Sequence, residues 1–351
     1  TTPGGTSSTT GTGNDFTYWA APTVTAVSPN VGPVAGGTSV TITGTNFDGV
    51  SSIYFDGVAA STYTVNSTTQ ITVTSPAVPA GVVDVTVTAT GGASANTAAD
   101  DFTYYAIPAV TSLSPTSSLL AGGGSVVITG TAFTGATSVK FGATTATFTV
   151  NSATQITATI PAGSIGKVDV TVTTPGGTSS TSGTGDDFTY FDVPTVTALT
   201  PAKGASAGGT SVVITGTNFT GATNVTFGGV AASALTVNNS TQITATAPAG
   251  TAGTTVDVVV VNPVASSSTA GTANDFTFWA APTVTALSST AGAAAGGTSI
   301  TLTGTNFDAV TAVKFGSVSA TNVSVTSLTS LTATIPAGGS LTLRYRFYFH
   351  Y

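Results

Sequence analysis

The chain has 351 residues, 40% hydrophobic and only 5% charged, with a net charge of −7 and a pI near 4.1. This length allows two to four domains with sizeable cores. The scarcity of lysine and arginine excludes nucleic acid as a partner, because a phosphate backbone binds through clustered cationic side chains. No apolar run approaches the roughly 18 residues of a membrane-spanning helix.

The chain contains no cysteine and no methionine. Compositional drift is one interpretation of the missing cysteines. The other is a secreted bacterial or archaeal surface protein whose stability comes from its cores and not from disulfides. The missing methionine favours the second interpretation, with a signal peptide removed or the chain an excerpt of a longer one.

Residues 1–21 match residues 173–193 almost letter for letter. Residues 173–193 form the end of one unit of a long internal repeat. Residues 1–21 are therefore predicted to be the detached terminal strand segment of such a unit.

A long repeat organises the rest of the chain. Closely similar segments begin at Pro22, Pro108, Pro194 and Pro282, and this spacing suits independently folding sandwiches better than solenoid units. The predicted domains are module 1 (22–107), module 2 (108–193), module 3 (194–281) and module 4 (282–351), of which module 4 is incomplete.

Within each module, apolar residues alternate with threonine and serine. Examples are the pairs Val40/Ile42, Val126/Ile128, Val212/Ile214 and Ile300/Leu302. Period-two alternation is typical of half-buried strands, and no segment has helical periodicity. Gly-Gly pairs, such as 36–37, precede a strand and are predicted to form a turn or bulge. Phe55, Phe141, Phe227 and Phe315 are predicted to occupy equivalent core positions. Each module is therefore expected to be all-β.

Modules 1 to 3 end with a strand of sequence Asp-Phe-Thr-Tyr, or Asp-Phe-Thr-Phe in module 3. Its two aromatic residues lie on one face and are expected to fill the core. Only three or four residues then precede the next module, so bending is restricted and the modules are expected to form a rod.

The opening Pro-x-Val motif, the Gly-Gly pair, Gly-Thr-Asn-Phe, Val-x-Phe-Gly and the closing Asp-Phe-Thr-Tyr together resemble IPT/TIG domains, an immunoglobulin-like group. Ala132 replaces the asparagine of Gly-Thr-Asn-Phe in module 2, and Ser289 replaces a proline in module 4. The resemblance implies tandem immunoglobulin-like β-sandwiches. It implies little about activity, which has to be argued from the residues.

Adjacent acidic residues precede two closing strands: Asp100 with Asp101, and Asp186 with Asp187. One interpretation is a calcium site, since carboxylate oxygens suit that ion. The favoured interpretation is local turn chemistry, because each pair offers too few oxygens by itself. No metal or cofactor is therefore expected. A further aspartate, Asp84 and its equivalents, is predicted to lie on a solvated face and to deter edge pairing.

The aromatic residue that follows each closing motif lies on the opposite face of its strand. These residues are Trp19, Tyr105, Phe191 and Trp279. They are expected to pack between consecutive modules, and stacking on sugar is the alternative. Catalysis by a nucleophile–histidine–aspartate arrangement is not expected, since the only histidine is the penultimate residue, His350.

Module 4 departs from the repeat after residue 338 and ends in an alternating aromatic segment. Leu341, Leu343, Tyr345, Phe347 and Phe349 fall on one face of it. We expect subunits to join head to tail. Phe16, Tyr18 and Trp19 would then enter module 4 of a neighbour, beside that segment, as β-strand addition.

Three functions compete. The favoured one is a secreted, non-catalytic structural protein of the cell surface. It would build a filament or adhesive stalk through its own copies and have cell-surface glycans or proteins as further partners. The second is an ancillary carbohydrate-binding or spacer region of a larger secreted enzyme. The third, a receptor ectodomain, usually carries disulfides.

Overall fold

A computed structural model describes residues 5–6, 16–307 and 310–338 of the chain. In these ranges the chain forms strands and no helix, which confirms the all-β prediction. None of the described segments is a helix that could cross a membrane. The chain divides into two compact units, Thr1–Tyr190 and Phe191–Tyr351.

The first unit contains modules 1 and 2, each a pair of sheets. Module 1 has the strands β1 (Thr23–Ser28), β2 (Val31–Pro33), β3 (Ser39–Thr45), β4 (Ser52–Phe55), β5 (Val58–Ala59), β6 (Tyr63–Ser67), β7 (Gln70–Thr74), β8 (Gly81–Ala89), β9 (Gly92–Ala93) and β10 (Asp101–Tyr105). One sheet has the order β1-β3-β7-β6. The other has the order β2-β10-β8-β4-β5, with β9 paired to β8.

Module 2 repeats this topology. Its strands are β11 (Ala109–Ser114), β12 (Ser117–Leu119), β13 (Ser125–Thr131), β14 (Ser138–Phe141), β15 (Thr144–Ala146), β16 (Phe148–Ser152), β17 (Gln155–Thr159), β18 (Gly166–Thr174), β19 (Gly177–Thr178) and β20 (Asp187–Phe191). The sheets are β11-β13-β17-β16 and β12-β20-β18-β14-β15, with β19 paired to β18.

The second unit contains modules 3 and 4. Module 3 has the strands β21 (Thr195–Thr200), β22 (Lys203–Ala205), β23 (Ser211–Thr217), β24 (Asn224–Phe227), β25 (Val230–Ala231), β26 (Ala234–Asn239), β27 (Gln242–Thr246), β28 (Thr255–Val261) and β29 (Asp275–Trp279). Its sheets are β21-β23-β27-β26 and β22-β29-β28-β24-β25.

The described part of module 4 has the strands β30 (Thr283–Leu287), β31 (Ser299–Thr305), β32 (Lys314–Phe315), β33 (Val318–Ser319), β34 (Thr321–Ser327) and β35 (Ser330–Thr334). They form a sheet of order β30-β31-β35-β34 and a β32-β33 hairpin.

The core of each module lies between its two sheets. In module 1, Val40 and Ile42 on β3 pair in antiparallel register with Val73 and Ile71 on β7, and all four side chains are buried. The threonines between them are more exposed, as expected for strands with one buried face. The predicted core positions Phe55, Phe141, Phe227 and Phe315 are all buried, which confirms that prediction.

The closing strand fills the core as predicted. Phe102 and Tyr104 on β10 are 0% and 2% exposed, and the Phe102 ring meets the Phe55 ring edge-on with 5.4 Å between centroids. The Tyr104 hydroxyl donates a hydrogen bond of 2.9 Å to the carbonyl of Pro76. The buried phenol therefore has an acceptor and is not left unsatisfied.

The Gly-Gly pairs lie in turns, as predicted. Gly36 and Gly37 have φ angles of 72° and 85°, and the Gly36 amide donates to the Pro33 carbonyl. The prediction that Asp84 deters edge pairing is wrong, because its strand β8 has β10 on one side and β4 on the other. Asp84 is half-buried and directly opposite Asp101.

Candidate functional site

Two positions in a module contact the residues that come just before its opening proline. We call these two positions the linker seat. The first position is the residue before the phenylalanine of Gly-Thr-Asn-Phe, and the second is the turn after the long strand of the module. The first position is Asn46, Ala132, Asn218 or Asn306, and the second is Gly91, Gly176 or Asn262 in modules 1 to 3.

The asparagine of the first position acts as a cap on the incoming backbone. The side-chain amides of Asn46, Asn218 and Asn306 donate to the carbonyls of Ala21, Val193 and Ala281, over 3.1, 3.0 and 3.1 Å. Their φ angles are 58°, 60° and 61°. Asparagine tolerates this left-handed conformation better than most residues with a side chain. The conformation and the hydrogen bond therefore both favour asparagine.

The second position meets the linker from the other side. A Cβ added to Gly91 would lie 2.1 Å from the carbonyl oxygen of Ala20, and one added to Gly176 would lie 2.3 Å from that of Ala106. Glycine is thus required for the backbones to approach so closely. In module 3 the contact becomes a hydrogen bond of 2.8 Å, from the Asn262 amide to the Asp192 carbonyl.

The aromatic residue after the closing motif of one module packs against a loop of the next module. Carbon Cε1 of Tyr105, at the end of β10, lies 3.0 Å from where a Cβ of Gly135 in module 2 would be. Phe191 approaches Gly221 in the same way. Tyr105 and Phe191 therefore pack against the following module, which is the interpretation favoured from the sequence. Trp279 is half-buried with the Lys203 ammonium 4.6 Å from its ring centroid, whereas Trp19 is 51% exposed.

The residues predicted to join subunits are only partly described. Phe16 and Tyr18 are 77% and 88% exposed, and their rings meet edge-on with centroids 4.8 Å apart. The same centroid distance separates the buried pair Phe102 and Tyr104. The remaining residues of the predicted interface lie outside the described part of the chain: Leu341, Leu343, Tyr345, Phe347 and Phe349.

The acidic residues before β10 form a cluster with a third carboxylate. One carboxylate oxygen from each of Asp84, Asp100 and Asp101 lies within 4.8 Å of the other two. Oδ1 of Asp100 accepts hydrogen bonds from the Thr97 amide and hydroxyl, which is the turn chemistry favoured from the sequence. Asp100 is fully buried, however, and its Oδ2 has no hydrogen-bond partner.

Module 2 has a cation beside the equivalent carboxylates. Asp186 is buried and Asp187 is half-buried. The Lys167 ammonium lies 2.9 Å from both oxygens of Asp187. The hydrogen bond to Asp187 is the main reason that the pKa of Lys167 is raised; desolvation opposes it in part, and the charges of Asp187, Asp169 and Asp186 raise it further.

Module 3 replaces one carboxylate by an amide. Asn274 occupies the position of Asp100, and its Nδ2 donates a hydrogen bond of 3.1 Å to Oδ1 of Asp257. Asp257 is the equivalent of Asp84, since each stands opposite the first residue of its closing strand. The triple arrangement was not predicted, because the strand register that brings Asp84 to Asp101 is not visible in the residue pattern.

The paired sheets and the seated linkers define a class of protein: a tandem array of immunoglobulin-like β-sandwiches with very short connections. The sequence profile of the IPT/TIG domain matches residues 22–104, 108–190, 194–278 and 282–346, and the chain belongs to that family. No curated protein matches the chain in sequence.

Several solved structures resemble the chain at low identity. The full extracellular region of Plexin A4 is 17% identical over 91% of this chain and 34% of its own length, with a TM-score of 0.33. Invasin, a bacterial integrin-binding protein, is 16% identical over 91% of this chain and 74% of its own, with a TM-score of 0.26. SGBP-B from a xyloglucan utilization locus of Bacteroides uniformis is 22% identical over 56% of each chain, with a TM-score of 0.22. The chain thus spans about a third of the plexin and just over half of SGBP-B.

Proposed function

We propose that this chain is a non-catalytic, structural stalk on the outside of a cell. The observation that carries the proposal is the connection between modules 1 and 2, both inside the first unit. The Tyr105 ring packs on Gly135, and the Ala106 carbonyl abuts Gly176. The last strand of one module is thereby held by two loops of the next.

The connection also leaves little chain to bend. Only Ala106 and Ile107 separate the end of β10 at Tyr105 from Pro108. Short linkers restrict the angle between domains. Because the capping amides and the linker glycines recur in other modules, the same restriction is proposed for the whole array.

Scattering from the intact chain in solution tests the stalk, with Phe16→Ser/Tyr18→Ser in every protein compared so that single chains are measured. Four modules of about 35–40 Å, from strands of about ten residues, give an expected maximum dimension of about 140–160 Å. The triple variant Tyr105→Ser/Phe191→Ser/Trp279→Ser is expected to broaden the distance distribution. The control Val230→Ser removes an apolar side chain that is 54% exposed and is expected to leave it unchanged. A compact particle in the protein that carries only these two monomer-forming changes would contradict the proposal.

We propose further that the stalk extends by β-strand addition, with residues 1–21 of one subunit entering module 4 of the next. Phe16 and Tyr18 support this proposal, because they are exposed yet already hold the edge-on arrangement of the buried closing pairs. In the described part of module 4, no ring stands opposite Phe315, whereas Phe55, Phe141 and Phe227 each face a closing-strand phenylalanine.

The variant Phe16→Ser/Tyr18→Ser tests strand addition. Wild-type protein is expected to form fibres under the electron microscope, and the variant is expected to elute as a monomer from a sizing column. The control Val58→Ser/Val230→Ser removes two other exposed apolar side chains and should still polymerise. Wild type that stays monomeric, or a variant that forms normal fibres, would show that the mechanism is wrong.

A carbohydrate-binding region of a larger secreted enzyme remains the second candidate function. It is favoured by Trp19, whose half-exposed indole offers a stacking surface for a sugar ring. A glycan array decides this point: saturable binding that Trp19→Ala abolishes would establish the second function, and no binding to any glycan would dismiss it.

A further inference from the structure

We propose that module 1 binds one divalent cation, with Ca²⁺ the best fit, through the carboxylates of Asp84, Asp100 and Asp101. This proposal is independent of the stalk and of strand addition. It concerns a buried cluster inside a single module.

The spacing of the oxygens suits a single ion. Calcium binds oxygen ligands at about 2.3–2.6 Å, so two ligands on opposite sides of the ion lie about 4.6–5.2 Å apart and neighbouring ligands lie closer. The three carboxylate oxygens lie within 4.8 Å of one another. Three carboxylates also supply up to six oxygens, and water can complete the six to eight that calcium requires.

A buried, unsatisfied oxygen gives a second and independent reason. Asp100 is 0% exposed, and its Oδ2 accepts no hydrogen bond. A buried carboxylate oxygen without a partner is costly, because it has left water and gained no hydrogen bond in exchange. An ion in the cluster would supply the missing partner.

The other modules differ from module 1 at this position and beside it. Asn274, at the position of Asp100 in module 3, donates its amide hydrogen to the carboxylate of Asp257. Module 3 therefore needs no cation. Module 2 keeps all three carboxylates, and Oδ2 of Asp186 likewise has no hydrogen-bond partner. There the Lys167 ammonium pairs with Asp187 and reduces the net negative charge of the group. Module 1 keeps all three carboxylates but has Val82 at the position of Lys167.

Module 1 contains no cationic side chain. Residues 22–107 include the aspartates Asp48, Asp56, Asp84, Asp100 and Asp101 and contain no lysine, arginine or histidine. The amide of Asn96 donates to Asp84, and the Thr97 amide and hydroxyl donate to Asp100. These donors are neutral, and a cation from the solvent would supply the compensating charge.

Isothermal titration of the full chain with CaCl₂, after removal of metals by chelation, tests the site. Wild-type protein is expected to bind one Ca²⁺ per chain, with a Kd on the order of 10⁻⁴–10⁻³ M as in other extracellular calcium modules. Asp100→Asn copies module 3, and Val82→Lys copies module 2 at a side chain that is 64% exposed. Both variants are expected to lose saturable binding.

One further variant makes the test specific. Asp186→Asn makes the equivalent change in module 2 and should leave the titration of module 1 intact. Absence of calcium binding to the wild type would overturn the proposal, as would binding that survives both Asp100→Asn and Val82→Lys.

Discussion

The side-chain amide of Asn218 donates a hydrogen bond of 3.0 Å to the carbonyl of Val193, the residue before the opening proline of module 3. The same residue adopts a φ of 60°, and its equivalent in module 2 is Ala132, with a φ of 57°. Alanine in this conformation has the steric cost of its Cβ and lacks the donor. Module 2 thus has a weaker linker seat than modules 1, 3 and 4.

The first prediction follows directly. Ala132→Asn is expected to stabilise module 2 by about 1–2 kcal/mol, since it relieves the left-handed strain and adds a hydrogen bond to the Ile107 carbonyl. Hydrogen exchange of β13 and β17, followed by mass spectrometry, measures the change in that module. The reverse variant, Asn218→Ala, should destabilise module 3 by a similar amount. An Ala132→Asn protein no more stable than wild type would contradict the role of the cap.

The repeat and the alternation of apolar residues were enough to predict the strands and the core phenylalanines, because both depend on the local residue pattern. The linker seat was not predicted. Its signal was present in the sequence, since Ala132 departs from Gly-Thr-Asn-Phe, but the partner of the asparagine lies 25 residues away in the case of Val193. The carboxylate cluster depends likewise on the register that sets Asp101 opposite Asp84. Long-range register is fixed by packing and turn geometry, which a residue pattern does not specify.

The second prediction concerns the core of module 2. Phe141 is 3% exposed, and its ring lies edge-on to Phe188 with 5.0 Å between centroids. Phe141→Ala is expected to lower the free energy of unfolding of module 2 by about 3–5 kcal/mol, because it removes buried apolar surface and leaves a cavity. Hydrogen exchange of β14 and β18, measured at increasing denaturant concentration, gives the size of this loss of unfolding free energy. A loss below about 1 kcal/mol would mean that the closing strand is not packed on this residue.

The third prediction is a dependence on alkaline pH. Burial raises the pKa of Tyr104 and of Tyr190 above the ordinary value of 10.0, and a hydrogen bond with Ser75 partly opposes this for Tyr104. A raised pKa in the folded state means that the neutral phenol contributes stability fully below pH 10. That contribution is lost as pH rises through the folded pKa. Modules 1 and 2 are therefore expected to lose stability above pH 10.

Module 3 supplies the natural comparison, because Phe278 stands where Tyr190 stands in module 2. Tyr190→Phe should weaken module 2 by about 1 kcal/mol at neutral pH, through loss of the hydrogen bond to the Pro161 carbonyl. The variant should also show a smaller fall in stability between pH 9 and pH 11. The Lys167–Asp187 pair is present in both proteins, so the difference between them isolates the phenol. Identical pH profiles would show that the phenol does not titrate with unfolding.

The last prediction tests whether Tyr105 and Gly135 hold modules 1 and 2 together. A Cβ on Gly135 would lie 3.0 Å from the Tyr105 ring, and the φ of Gly135 is 74°. Gly135→Ala therefore combines backbone strain with displacement of the ring. Gly123→Ala is the matched control in the same module, since its φ is 90° and nothing lies within 4 Å of its Cβ position.

Both alanine variants are expected to cost about 1–2 kcal/mol from the left-handed backbone alone. Only Gly135→Ala should also increase hydrogen exchange at the linker amides of Ala106 and Ile107. In a double-mutant cycle, Tyr105→Ala should remove the excess cost of Gly135→Ala, because the ring that the new methyl group displaces is gone. Equal linker exchange in the two alanine variants, with additive costs in the cycle, would show that this contact does not fix the junction.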